Sequence, residues 1–189
     1  MSEVVFLHGL ESSTDASGVP IGGKARFLAE AFDAELVALD TSAARDALAR
    51  AAARGPVRYP YDGYEDAFRV PMARARAALR EDARVVVGSS FGGAVLLRLL
   101  HETPGWRGPC LLLAGAGVKL TPYDALPPGT RAILVHGRQD DVVPFEDSVR
   151  LAASSEAAEL VALDDGHRLS SILHDGALGA WIRRLSASS

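Results

Sequence analysis

Six short apolar runs recur along the chain: Val4 to Leu7, Glu35 to Leu39, Arg84 to Val87, Cys110 to Leu113, Arg131 to Val135 and Glu159 to Leu163. Each has turn signals near its end, the pattern of a strand buried on both faces of a parallel sheet. The segments between them carry helical stripes. Ile21, Ala25, Leu28 and Phe32 share one face, as do Phe68, Met72, Ala75 and Leu79, and Leu178, Trp181, Ile182 and Leu185. In the second of these, Pro71 removes an N–H and clashes with the preceding turn, so it either kinks the helix near its start or marks its first turn. Strand and helix in alternation predict an α/β fold with helices on both faces of the sheet. In such sheets ligands bind beyond the carboxyl ends of the strands, which directs attention to the residues that follow each run.

Two stretches depart from this rhythm. Thr41 to Gly55 is rich in Ala and Arg with Leu48 as its one large apolar residue, which predicts a largely exposed surface helix. Pro56 to Tyr64 is a loop punctuated by Pro and Gly that holds Tyr59, Tyr61 and Tyr64. It either walls a cleft or packs on its own rings, and the sequence does not separate the two.

Composition narrows the picture without naming a chemistry. The 189 residues, 48% hydrophobic and 23% charged, suit one globular domain over 1–189 and exclude a disordered chain or a disulfide scaffold. A net charge of -4 offers no footprint for nucleic acid or an anionic membrane, so a small molecule is the expected partner. The one cysteine, Cys110, sits in an apolar run and reads as a buried small hydrophobe with no disulfide to make. The N-terminal run has no basic region before it and is too short for a signal peptide, and no run approaches the length of a membrane span. A soluble cytoplasmic protein is expected.

The chemistry concentrates after three of the runs. Gly88-Ser89-Ser90-Phe91-Gly92 lies between an apolar run and the helical stretch Ala94 to Leu100, a G-x-S-x-G pattern at a strand-to-helix junction. A nucleophile on a sharp turn needs neighbours without side chains, which Gly88 and Gly92 provide, and the helix that follows aims free N–H groups at developing negative charge. A serine hydroxyl reacts only when a base takes its proton and an acid orients that base. Two candidates for the acid, Asp140 and Asp141, follow the fifth run, and His167 follows the sixth. His8 and His136 precede glycines at strand ends and are expected to bond loop backbone, while His101 and His174 lie in or beside helices. Asp164 and Asp165 are too near His167 in sequence to orient it and read as polar turn residues. An oxyanion hole needs two N–H donors: Phe91 supplies one, and Leu10, after His8-Gly9, the other.

With these motifs the chain resembles the α/β-hydrolase superfamily over nearly its whole length. The resemblance rests on His8-Gly9, the Gly88 to Gly92 elbow, His136-Gly137-x-x-Asp140-x-x-Val143-Pro144 and Gly166-His167. It implies that the catalytic acid is Asp140, with Asp141 a neighbour. The His8 to Ser13 and Gly88 to Gly93 segments look like those of small bacterial serine esterases. The chain opens directly on the oxyanion-loop strand, which implies a reduced, mostly parallel sheet of about six strands. The short connection Ala114 to Thr130 leaves no room for a lid domain and implies an open site for small, accessible esters.

The expected function is therefore hydrolysis of a small acyl substrate by Ser90, His167 and Asp140, without cofactor or metal. A thioesterase, amidase or peptidase would use the same residues, and a binding protein that has lost the chemistry is the alternative from another class. Gly115-Ala116-Gly117 lacks the third glycine of a dinucleotide fingerprint, no G-K-[ST] or H-E-x-x-H exists, and His136 with Asp140 is too few ligands for a metal.

Overall fold

The computed structural model describes residues 4–79 and 85–187. Six strands, β1 (Val4–Leu7), β2 (Glu35–Val37), β3 (Val85–Ser89), β4 (Cys110–Leu113), β5 (Ala132–Gly137) and β6 (Ala158–Leu163), form one sheet in the order β2-β1-β3-β4-β5-β6. Every pairing is parallel. Seven helices lie between and after them: α1 (Gly23–Phe32), α2 (Ser42–Ala52), α3 (Tyr64–Ala78), α4 (Phe91–Glu102), α5 (Gly117–Leu120), α6 (Phe145–Ala153) and α7 (Ala177–Ser186). None of the described helices is long and apolar enough to cross a membrane.

Alternation along each strand divides the core in two. Val5, Leu7, Val86, Cys110, Leu112 and Leu134 face one side, where Phe68 and Met72 of α3, Val95 and Leu99 of α4 and Leu151 of α6 cover them. Val4, Phe6, Val87, Leu111, Leu113 and Val135 face the other, covered by Ala25 and Leu28 of α1 and by Leu178, Ile182 and Leu185 of α7. Both faces are buried, which is why the strands read as unbroken apolar runs. Cys110 is fully buried, as expected, and burial pushes its thiol up to about 12, so it is inert at neutral pH.

Several boundaries differ from the sequence reading for physical reasons. Ile21 lies outside α1 and is half-exposed, because the helix starts after Gly22. Pro71 is neither a first turn nor near the start: it is the eighth residue of α3, and the packing of Ala67, Phe68, Met72 and Ala75 carries the helix through it. The expected run at Glu35 to Leu39 ends as a strand at Val37, because the Leu39 N–H leaves the ladder and donates to the ring of His8. Strand β3 extends to Ser89 and β5 to Gly137, while Arg84 lies outside the described residues. The surface helix is present as α2, with a buried face made of Ala44 and Ala47.

The strand order reverses once. From β1 the chain moves outward to β2, then returns to place β3 on the other side of β1, so the carboxyl ends of β1 and β3 border the switch point where α/β sheets bind ligands. Helix α4 enters there in direct contact with β1. A Cβ on Gly92 would lie 2.0 Å from the Leu7 carbonyl oxygen, so only glycine permits this approach. Gly92→Ala is expected to destabilise the protein by about 3 kcal/mol or more in denaturant unfolding, because β1 and α4 must part. Gly22→Ala, where a Cβ would meet nothing within 4 Å and φ is -67°, should change stability by less than about 1 kcal/mol.

His8 ties β1 to the end of β2. Its Nδ1–H donates to the Gly9 carbonyl at 2.7 Å, and its Nε2 accepts the Leu39 N–H at 3.2 Å, which requires the neutral ring. Burial pushes its pKa below the ordinary 6.5, outweighing the Gly9 bond that favours the charged form. A histidine whose pKa is lower in the folded state contributes its stability fully above pH 6.5 and loses it as pH falls toward the folded value. The melting temperature of the wild type should therefore drop more between pH 7.5 and pH 5 than that of His8→Gln, which cannot titrate; equal drops in calorimetry would exclude this linkage.

Candidate active site

Ser90 stands alone between Ser89, the last residue of β3, and Phe91, the first of α4. Its backbone has φ 52° and ψ -113°, a region that side-chain-bearing residues avoid at a cost of about 1 to 3 kcal/mol. The surroundings hold it there. Its N–H donates to the Leu113 carbonyl at 2.9 Å, and its own carbonyl accepts from Gly93 at 2.9 Å and Ala116 at 3.0 Å. Gly88 admits the turn, since a Cβ there would lie 2.7 Å from the Gly92 carbonyl oxygen.

The hydroxyl of Ser90 lies 2.9 Å from His167 Nε2, and His167 Nδ1 lies 2.8 Å from Asp140 Oδ2. A carboxylate only accepts, so Nδ1 carries the imidazole proton and Nε2 is free to accept from the serine. The imidazole is one-fifth exposed and the Asp140 carboxylate fully buried. Burial alone would raise the Asp140 pKa, but N–H donation from Val143, the bond to His167 and the N–H of Val142 together hold it below the ordinary carboxylate value. Both backbone bonds, 2.8 Å each, end on Oδ1, which leaves Oδ2 to His167 and to His136 Nε2 at 3.0 Å.

The loops carrying acid and base meet backbone to backbone. A Cβ on Gly137 would lie 2.1 Å from the Asp165 carbonyl oxygen, and that same carbonyl accepts the Gln139 N–H at 3.1 Å. Asp141 is exposed. Asp164 accepts from the Gln139 amide, and Asp165 accepts from Gly166 N–H and from both the N–H and hydroxyl of Ser171, as polar turn residues do. His101 donates to the Ala125 carbonyl and stacks on Tyr123, and His174 is exposed; neither joins Ser90. His136 bonds loop backbone, the Val143 carbonyl, as expected; its contact with Asp140 was not foreseen, although the four-residue spacing of His136 and Asp140 was a readable signal.

The loop after β1 lies against the serine turn. A Cβ on Gly9 would come within 3.2 Å of Ser90 Cβ, so the backbone of Gly9 and Leu10 passes beside the nucleophile candidate. Phe91 begins α4 and so has no carbonyl one turn back for its N–H. The N–H of Leu10 donates to no backbone carbonyl among the described residues.

The tyrosine loop packs on its own rings. Tyr64 lies edge-on to Tyr59 and Tyr61, at 4.9 and 5.8 Å, and stacking continues through Phe68 to Phe91, each step 5.1 Å. Pro56, Val57 and Arg58 instead face Lys119, Val142 and Pro144 across a cavity of about 240 Å³. A second cavity of about 310 Å³ separates Arg50 and Arg54 from Tyr61. Neither is lined by Ser90 or His167.

Nothing in this arrangement holds a metal: among the described residues no group of three His, Cys, Asp or Glu side chains converges. No protein-family model matches the sequence, and no curated protein does. Solved structures do. One from Xanthomonas campestris pv. campestris, assigned to the α/β hydrolase superfamily, is 24% identical with a TM-score of 0.64 and 99% of both chains covered. A protein of unknown function from Agrobacterium tumefaciens is 20% identical over 98% of this chain and 90% of its own, with a TM-score of 0.60. An α-β serine hydrolase homologue from Coxiella burnetii is 17% identical over 97% and 82%, with a TM-score of 0.52. The six parallel strands, their order and these similarities together make the fold of this chain that of the α/β-hydrolase superfamily.

Proposed function

We propose that the protein is a serine hydrolase that cleaves small, accessible carboxylic esters through an acyl-enzyme. The observation that carries this reading is the unbroken relay from the Ser90 hydroxyl to His167 at 2.9 Å and from His167 to the buried Asp140 carboxylate at 2.8 Å. In the proposed reaction Ser90 Oγ attacks the acyl carbonyl while its proton passes to His167 Nε2. The carbonyl oxygen becomes an oxyanion between the N–H groups of Phe91 and Leu10. Its collapse breaks the bond to the leaving group, which takes the proton from His167. Water, deprotonated by the same imidazole, then clears the acyl group and regenerates the serine. Asp140 keeps its proton off throughout and holds the imidazole in the tautomer that can accept.

Two further observations support the reading. The strained Ser90 backbone is a cost that a binding protein without chemistry has no use for. The cavities lie to the side of Ser90, so a long acyl chain finds no deep tunnel at the serine, which favours short acyl groups. Action on a soluble substrate in the cytoplasm fits the buried thiol of Cys110 and belongs to the same proposal.

A fluorophosphonate probe should label the wild type and Ser89→Ala but not Ser90→Ala; labelling that survives loss of Ser90 would sink the mechanism. Among p-nitrophenyl esters, kcat/KM should fall as the acyl chain lengthens, and a preference for long chains would overturn the open-site argument. Asp140→Asn should lower kcat by about two to four orders of magnitude, because the amide favours the wrong imidazole tautomer, while exposed Asp141→Asn should change it less than about threefold.

A further inference from the structure

The Asp140 carboxylate is shared by two imidazoles. Its Oδ2 accepts from His167 Nδ1 at 2.8 Å and faces His136 Nε2 at 3.0 Å. His136 is fully buried at the end of β5, with Phe145 edge-on to its ring at 5.7 Å. Its Nε2 also faces the Val143 carbonyl at 3.1 Å. Both neighbours of Nε2 can only accept, so Nε2 carries the proton, and Nδ1 must then accept from the hydroxyl of buried Ser148 at 2.6 Å.

We propose that His136, fixed in this tautomer by Ser148, is a positioning residue that divides the charge of Asp140 between two imidazoles and so sets the proton affinity of His167. The proposal rests on the assignment of Ser90, His167 and Asp140 as the triad. With the His136 donor in place, part of the carboxylate charge is spent on a neutral ring, and His167 stays unprotonated, hence able to act as a base, to lower pH. The second bond also occupies one side of Oδ2 and leaves the other to His167, which fixes the plane of the base. The charged groups around this cluster come from four elements. Asp147 of α6 is buried near His136 and carries an oxygen with no partner among the described residues; Glu146 and Arg150 of α6, Lys119 of α5 and Arg58 of the loop before α3 complete the set.

The test is an NMR titration of the His167 imidazole, paired with the pH dependence of fluorophosphonate labelling. His136→Phe removes the donor and should raise the His167 midpoint by about half a pH unit, moving the acid limb of the labelling rate upward with it. His136→Gln, whose amide N–H can replace Nε2–H, should restore the wild-type midpoint. Ser148→Ala removes the hydroxyl that selects the tautomer and should move the midpoint in the direction of His136→Phe; it also serves if the phenylalanine variant does not fold. An unchanged midpoint in folded His136→Phe or in Ser148→Ala, or equal shifts in the Phe and Gln variants, overturns the proposal. Failure of the wild type to label would instead remove the hydrolase reading, while the titration still decides whether His136 is coupled to His167.

Discussion

Where α4 meets β1, backbone touches backbone, and the remainder of the site is arranged around that contact. Gly92 brings the first turn of the helix against the Leu7 carbonyl, which draws the turn before it tightly enough to push Ser90 into its positive-φ conformation. The strain is local, but what sustains it is distributed. Leu113 at the end of β4 receives the Ser90 N–H, and Ala116 beyond it donates to the Ser90 carbonyl. Three neighbouring strands therefore have to be in register before the serine can point out of the sheet. A stable parallel core is thus a condition of the chemistry as well as its scaffold.

A second glycine contact does for the acid and base what Gly92 does for the serine. Gly137 lets the end of β5 touch the Asp165 carbonyl, so the loop bearing Asp140 and the loop bearing His167 are held at fixed separation by main chain. The Asp140 carboxylate can then be buried because every direction around it is supplied with a donor: two backbone N–H groups on one oxygen, two imidazoles on the other. Burial of a carboxylate with fewer donors would push its pKa up and cost it the charge that orients His167. Here the donors win, and the acid remains ionised while fully shielded from water.

How much of this was legible in the residues follows from which signals are local. The apolar runs gave all six strands because burial on both faces leaves a direct imprint on sequence, and the order Ser90, Asp140, His167 was readable because each follows such a run. What failed depended on partners far along the chain. The end of β2 could not be placed from Leu39, whose N–H is taken by His8, thirty-one residues earlier. Pro71 forbids a helix interior on local grounds alone, yet α3 runs through it because its buried face packs on α4. Asp140 and Asp141 are adjacent and chemically alike, so spacing could not rank them. In the fold only Asp140 turns inward, where its own loop N–H groups close on it.

The distribution of rigidity across the site bears on what it can select. Nucleophile, base and acid are each locked by glycine contacts or buried hydrogen bonds, so little freedom remains there to distinguish one acyl group from another. Discrimination must come from groups that border the cleft without belonging to the relay, and the Pro56 to Arg58 stretch opposite Lys119 and Val142 is such a border. It is anchored at one end by the tyrosine stack and by the bond from the Tyr59 N–H to the Lys119 carbonyl. Through Phe68 that stack reaches Phe91, whose N–H faces the developing oxyanion in the proposed mechanism. Repacking of the tyrosines would therefore be felt at the oxyanion donor, which couples the wall of the cleft to the chemistry without any contact between the loop and Ser90 itself.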